Sequence, residues 1–141
     1  MQQIFEFAQN HPILSLFWVG TLLAIIGTTF SSLTAKFKMV TSAELTLLVN
    51  RSDATVLDIR AIDEYKKGHI TGAKNIPLDQ LPNQLTTLEN QKDKPIIVVC
   101  YAGMSAQGAA RQLITAGFNQ VSVLTGGMQK WVDDKLPVVR K

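Results

Sequence analysis

The sequence PIIVVCYAGMSAQGAARQLITAG, residues 95–117, decides the fold. It opens with an uninterrupted, β-branched apolar run that predicts a buried strand ending at Cys100. A short loop containing Gly103 follows, and the Ala- and Gln-rich residues 105–116 predict a helix that stops at Gly117. A buried strand that leads directly into a helix is the unit from which parallel α/β sheets are built.

The same alternation continues on both sides of this unit. Thr41, followed three residues later by Glu44, has the capping-box pattern that predicts the start of a helix. No hairpin signal such as Asn-Gly separates the apolar runs, so we expect a parallel sheet with helices on both faces. The remaining extended segments are predicted at residues 55–59, 73–78 and 120–125, and the short helices at residues 41–50, 63–67, 81–90 and 126–134.

The composition excludes several classes of function. The net charge of the 141 residues is only +3, and the basic residues are scattered rather than gathered into the block expected of a nucleic-acid-binding tail. A single cysteine excludes an internal disulfide and a cysteine-cluster metal site. We therefore expect no nucleic-acid partner and no metal.

The N-terminal part contains a long uncharged run. Residues 11–35 include no Asp, Glu, Lys or Arg, and a helix over residues 12–34 would be roughly 30 Å long, the thickness of a bilayer core. This predicts a transmembrane anchor. The domains are then a short N-terminal segment at residues 1–11, the membrane helix at 12–34, a linker at 35–39 and a soluble domain at 40–141.

Two alternatives to an anchor are weaker. A buried core helix is disfavoured because the residues after the run already make a complete domain. A cleaved signal peptide is disfavoured because the residues before it carry no Lys or Arg. Lys36 and Lys38 follow the run and Glu6 precedes it, so we expect a single-pass protein of the bacterial inner membrane with its C-terminal domain in the cytoplasm.

The loop after Cys100 has the features of a reactive site. In open parallel sheets, sites form outside the carboxyl ends of the strands, which is where Cys100 lies. A tight glycine-containing loop before a helix turns main-chain N–H groups toward one point and favours negative charge there. We therefore expect Cys100 to react as the thiolate. The alternative is that it is only a buried apolar residue ending a strand.

Three stretches resemble the rhodanese-like domain family, in particular the small single-domain bacterial rhodaneses. They are LDIRAIDEYKKGHITGAKNIPL at residues 57–78, VVCYAGMSAQGAA at 98–110 and LTGGMQKW at 124–131. The resemblance covers residues 40–137. It implies a five-stranded parallel sheet flanked by helices. It also implies sulfurtransferase chemistry through a cysteine persulfide, without a metal or an organic cofactor.

Carried over residue by residue, the resemblance makes Cys100 the catalytic nucleophile. The residues that would surround its sulfur with their amides and bind the substrate are Tyr101, Ala102, Gly103, Met104 and Ser105. Many rhodaneses end this loop with Arg, whereas this chain has Ser105. The exchange removes a fixed positive charge that would hold thiosulfate, although Ser105 can cap the following helix and offer a hydroxyl group.

Asp58, Arg60 and His69 lie near the end of a predicted strand and invite comparison with a catalytic triad. We favour the interpretation that these three supporting residues hold loops in place, since an Asp–Arg or Asp–backbone network at a strand end is a common structural use of charge.

The sequence thus predicts a membrane-anchored sulfurtransferase that carries sulfane sulfur on Cys100. Its partners would be a small donor, thiosulfate or a persulfide, and a thiol or protein acceptor, together with a possible membrane-protein partner. The alternative function is a scaffold module that holds a partner at the membrane. A cysteine phosphatase is disfavoured because no Arg follows Cys100 within the loop to bind phosphate.

Overall fold

The structure is a computed structural model. It describes residue 7, residues 9–27 and residues 36–141 in full, and the backbone alone of residues 28–34. The chain divides into two compact units, Met1–Thr34 and Ala35–Lys141, which are described separately.

The first unit contains helix α1, Pro12–Thr34, over the same residues as the predicted membrane span. In the part of the chain that the structure describes, however, no helix is long and apolar enough to cross a membrane. The predicted anchor is therefore not supported. The predicted location and orientation depended on it and stay untested, and most of the segment at 1–11 lies outside the described residues.

The second unit is built on one five-stranded parallel sheet, as predicted. The strand order is β1-β5-β4-β2-β3, and every neighbouring pair is parallel. The strands are β1 (Lys38–Val40), β2 (Thr55–Asp58), β3 (Lys74–Asn75), β4 (Ile96–Val99) and β5 (Val121–Leu124). The central strand is β4, and all four of its side chains are buried, as expected for a strand covered on both faces.

Helices cover both faces of the sheet. They are α2 (Ser42–Ser52), α3 (Ile62–Lys67), α4 (Leu81–Gln84), which continues into a 3-10 helix (Leu85–Gln91), α5 (Met104–Thr115) and α6 (Gly127–Asp133). One buried cluster joins the sheet to α5 through Leu113 and to the 3-10 helix through Leu88. The other joins it to α2 through Leu45 and to α6 through Trp131. The predicted capping box is present, with Thr41 and Glu44 hydrogen-bonded to each other's backbone N–H.

The predicted linker at residues 35–39 needs correction. Lys38 and Met39 belong to β1, which pairs with β5 at the edge of the sheet. Only Val40 of this strand is buried, so the segment lacks the apolar run by which a strand is detected. The sheet therefore begins before the boundary at residue 40.

Candidate active site

Cys100 follows the last residue of the central strand. Its side chain is largely buried, with 5% of its surface exposed, and its Sγ accepts a hydrogen bond of 3.0 Å from the backbone N–H of Gly103. The loop therefore turns back on the sulfur within three residues. One main-chain N–H of the loop is thus aimed at the sulfur.

Gly103 makes this turn possible. Its φ is +95°, in the left-handed region that glycine adopts without strain, and it is the N-cap of α5. The expectation that Ser105 caps this helix is wrong, because the helix begins one residue earlier, at Met104, and its cap makes no side-chain hydrogen bond. The first turn of α5 thus lies directly after the cysteine loop, with its free N–H groups at that end.

The loop is held from outside by the start of α6. The backbone N–H groups of Met128 and Gln129 donate to the carbonyl oxygens of Cys100 and Tyr101, at 2.8 and 2.9 Å. In a trans peptide the C=O and the next N–H point in opposite directions. Because both carbonyls face α6, the N–H groups of Tyr101 and Ala102 point away from it.

Gly127 allows this contact. A Cβ atom at this position would lie 2.4 Å from the carbonyl oxygen of Cys100 and 2.6 Å from that of Tyr101. Its φ of +58° also favours glycine. The sequence predicts a strand, a turn and a helix start over residues 124–131, but not this contact of Gly127 with the cysteine loop. The available signal was the Gly-Gly pair directly after a predicted strand, which often marks a close approach of two backbones.

An open cleft of about 420 Å³ leads to the sulfur. Tyr101 and Ser105 contribute to its lining, whereas Gly103 is buried and Met104 is 81% exposed beside it. Of the five predicted loop residues, Tyr101 and Ser105 share the cleft lining with Cys100 and the N–H of Gly103 donates to its sulfur, whereas Ala102 and Met104 are exposed. The cleft is lined by Ile59, Arg60, Ala61, Glu64, Leu78, Cys100, Tyr101 and Ser105.

Asp58 and Arg60 form a buried ion pair in the wall of this cleft. Arg60 Nη2 lies 2.6 Å from Asp58 Oδ2 and also donates to the carbonyl of Gly68, at 2.9 Å. The backbone N–H of Arg60 donates to Asp58 Oδ1, at 3.0 Å. The side chain of Asn75, a residue with no predicted role, donates to the carbonyls of both Asp58 and Arg60. These bonds fix the backbone that lines one side of the cleft.

His69 is buried and lies in a different network. Its ring stacks on Tyr65 at a centroid distance of 3.7 Å, and its Nδ1 lies 2.8 Å from the Tyr65 carbonyl. Its backbone exchanges two hydrogen bonds with Val139. Within the described residues, neither His69 nor Asp58 is hydrogen-bonded to Cys100. That they hold loops in place stays our interpretation.

Glu64, which lines the cleft, forms an ion pair with Lys67. The hydrogen bond from Lys67, together with its charge, lowers the pKa of the Glu64 carboxyl group, and the same bond raises the pKa of Lys67. The two therefore remain an ion pair at neutral pH. Nowhere in the described residues do three or more His, Cys, Asp or Glu side chains gather as a possible metal site.

Comparison with known families identifies this arrangement. The model of the rhodanese-like domain matches residues 41–134, which include the whole cysteine loop and the α6 turn. The chain belongs to the rhodanese-like domain family. Membership supports sulfurtransferase activity at the level of the family.

Individual relatives agree with this assignment. The chain is 47% identical to the uncharacterized protein YibN of Escherichia coli K12, over 99% of both chains. It is 37% identical to the thiosulfate sulfurtransferase GlpE of Pseudoalteromonas translucida, over 67% of this chain and 89% of the relative. Among solved structures, a rhodanese-related protein of Thermoplasma volcanium is 30% identical, with a TM-score of 0.67 over 74% of this chain and all of its own.

Proposed function

We propose that this protein is a sulfurtransferase that carries sulfane sulfur as a persulfide on Cys100. The observation that carries the proposal is the position of the thiol. Cys100 lies at the end of the central strand and in the lining of an open cleft, with the N–H of Gly103 on its sulfur. The name of the relative GlpE supports thiosulfate as one donor.

In the first step the Cys100 thiolate attacks the outer sulfur of thiosulfate. The new S–S bond forms as the sulfur–sulfur bond of the donor breaks, and sulfite leaves with the electron pair. The product is the Cys100 persulfide, whose outer sulfur carries the negative charge. With another persulfide as donor, a thiolate leaves instead. This is covalent catalysis by an activated nucleophile, in which the cysteine is regenerated by the acceptor.

The main chain supplies the electrostatic stabilisation in this proposal. The N–H of Gly103 donates to the sulfur, and α5 begins at the next residue, so the free N–H groups of its first turn face the cysteine loop end of the helix, where they favour an anion. Ser105 brings no fixed charge, so the site holds its anions through dipoles.

Mass spectrometry of the intact chain tests the proposal. After incubation with thiosulfate, and separately with a small persulfide, the protein should gain the mass of one sulfur atom. That mass should be released by cyanide and should be absent from a Cys100→Ser variant. If neither donor loads Cys100 under conditions that load a known rhodanese, the proposal is wrong. Full function of the Cys100→Ser variant in cells would instead favour a scaffold.

A further inference from the structure

The cleft at Cys100 is the middle of a longer groove. It shares Ile59, Ala61 and Leu78 with a second cleft of about 570 Å³ on one side. It shares Arg60, Glu64 and Tyr101 with a third cleft of about 370 Å³ on the other side. The three clefts therefore adjoin one another at shared walls, and we refer to them together as the groove beside the thiol. We call the second cleft the apolar arm and the third the charged arm.

The groove is much larger than a small sulfur donor requires. Each of its three parts is in the size range that binds a drug-sized ligand, whereas thiosulfate has only a handful of heavy atoms. A small donor fits the middle part alone. The two arms call for a longer molecule that brings its reacting sulfur to Cys100 and extends in both directions.

The apolar arm exposes hydrophobic surface beside the site. It is lined by Ile59, Ala61, Ile62, Pro77, Leu78, Asp79 and Gln80. Ile62 is 54% exposed and Leu78 is 37% exposed, and Tyr101 is exposed at the junction with the charged arm. Single exposed apolar residues are ordinary, but a contiguous set beside a reactive group indicates a binding surface.

The charged arm offers one free cation and one free anion. Arg60 is paired with Asp58, and Lys67 with Glu64. Arg140 and Asp133 also line the arm, and neither forms an ion pair within the described residues. The backbone beside Arg140 is fixed, because Val139 forms an antiparallel bridge with His69. Arg140 suits a carboxylate of the ligand, and Asp133 can accept from its N–H groups.

We propose that this groove docks an extended segment of an acceptor protein, with a cysteine at the thiol, an apolar side chain in the apolar arm and an acidic side chain at Arg140. An extended segment meets all three requirements, because it presents alternating side chains and free backbone N–H groups. This inference rests on the proposed function, since it names the acceptor of the sulfur that Cys100 carries.

The transfer step follows from the same arrangement. The thiolate of the docked cysteine attacks the outer sulfur of the Cys100 persulfide. A new S–S bond forms on the acceptor, the S–S bond to Cys100 breaks, and the Cys100 thiolate leaves with the electron pair. The acceptor then carries the anionic persulfide and Cys100 is again a thiolate, so the step moves one sulfur atom with no net gain or loss of protons or electrons.

The test uses the full chain loaded with sulfur and synthetic peptides as acceptors. One peptide has a central cysteine, apolar residues on one side and acidic residues on the other. A second has the reverse order, and a third has lysines in place of the acids. N-acetylcysteine is the small-thiol reference. We expect one of the acidic peptides to be sulfurated with a kcat/KM about tenfold or more above that of N-acetylcysteine.

Substitutions in the groove then test which arm recognises the acidic side chain of the peptide and which the apolar one. Arg140→Glu should abolish the preference for the acidic peptide over the lysine peptide or reverse it, and Ile62→Ser should reduce the ratio of peptide rate to N-acetylcysteine rate. Arg51→Ala and Leu47→Ser, at exposed positions of α2, are matched controls and should leave that ratio unchanged.

The two proposals fail in different ways. If Cys100 does not load with sulfur, the proposed function is wrong. If Cys100 loads but both acidic peptides react no faster than N-acetylcysteine, the groove does not dock a segment and the inference is wrong while the sulfurtransferase remains. An unchanged peptide preference in Arg140→Glu would likewise overturn the assignment of the charged arm.

Discussion

Substituting Gly127 by Ala should damage the site without touching the cysteine. The added Cβ would lie 2.4 Å from the carbonyl oxygen of Cys100, whereas ordinary contacts begin at 3.4 Å. The obstructing atoms are backbone, so no side chain can rotate away. Either the cysteine loop or the start of α6 must therefore move by about 1 Å.

The cost in stability can be worked from three contributions. An L-residue in the left-handed conformation costs about 1–2 kcal/mol. The displacement weakens the hydrogen bonds from Met128 and Gln129 to the loop carbonyls, each worth about 1 kcal/mol. Together the free energy of unfolding should fall by about 3–4 kcal/mol. The effect on rate should be larger than stability alone suggests, because misplacing a reacting group by about 1 Å can cost about 100-fold.

Gly117→Ala is the matched control. Gly117 also has a left-handed φ, +98°, but an added Cβ there meets nothing within 4 Å. It should show the conformational cost alone. Urea unfolding gives the stability of both variants, and the rate of sulfur loading from thiosulfate, measured below the unfolding transition and corrected for the folded fraction, gives the activity. We expect Gly127→Ala to load about 100-fold more slowly than Gly117→Ala.

Equal loading rates for the two variants would refute the reasoning. The loop would then tolerate displacement, and its contact with α6 would contribute only to stability. A fall in rate without a fall in stability would also contradict it, because the same hydrogen bonds carry both effects.

Two further substitutions test the cleft. Ser105→Arg adds a guanidinium to its lining, and a charge-assisted hydrogen bond of about 1.5–3 kcal/mol should lower the KM for thiosulfate by about ten- to a hundredfold. Gln107→Arg, on the same helix outside this lining, is the control, and an equal fall in KM there would show that only net charge matters. Asp58→Ala leaves the Arg60 guanidinium, 9% exposed, without its partner and should destabilise the fold by about 3–5 kcal/mol in urea unfolding. The exposed Asp63→Ala should change stability by less than about 1 kcal/mol, and similar losses in both variants would show that the buried pair is not holding this wall.

The sequence predicts the sheet well where hydrophobic pattern and strand burial coincide. β4 and β5 are fully buried, and each was visible as an apolar run. β1 was not, because it is an edge strand whose pairing with β5 depends on a segment far away in sequence. From the residues alone its place in the sheet could not be read, and only the resemblance implied a fifth strand.

The sequence predicts the reactive cysteine and its loop, but not the contacts that hold the loop and the cleft wall in place. Cys100 and its loop follow from a local pattern of strand, glycine and helix. The contact of Gly127 with the loop joins residues that are distant in sequence, and no property of Gly127 alone reveals which backbone approaches it. The same holds for Asn75, whose two hydrogen bonds cross from β3 to the end of β2. The predicted anchor failed for a different reason: an uncharged run of this length is compatible with a membrane helix, but it does not reveal what surrounds the helix.

The absence of a cation in the cysteine loop changes what the site should prefer. Arg60 contributes a guanidinium to the cleft lining, but this group is already engaged by Asp58 and by the Gly68 carbonyl. An inorganic donor therefore meets mainly main-chain N–H groups, which stabilise charge on sulfur but offer little long-range attraction. Larger donors and acceptors gain affinity from contacts along the groove, so their binding depends less on a fixed positive charge beside the thiol. Sulfur exchange with larger thiols that carry no acidic side chain should accordingly depend less on ionic strength than loading from thiosulfate in Ser105→Arg, where a fixed charge draws the anion in.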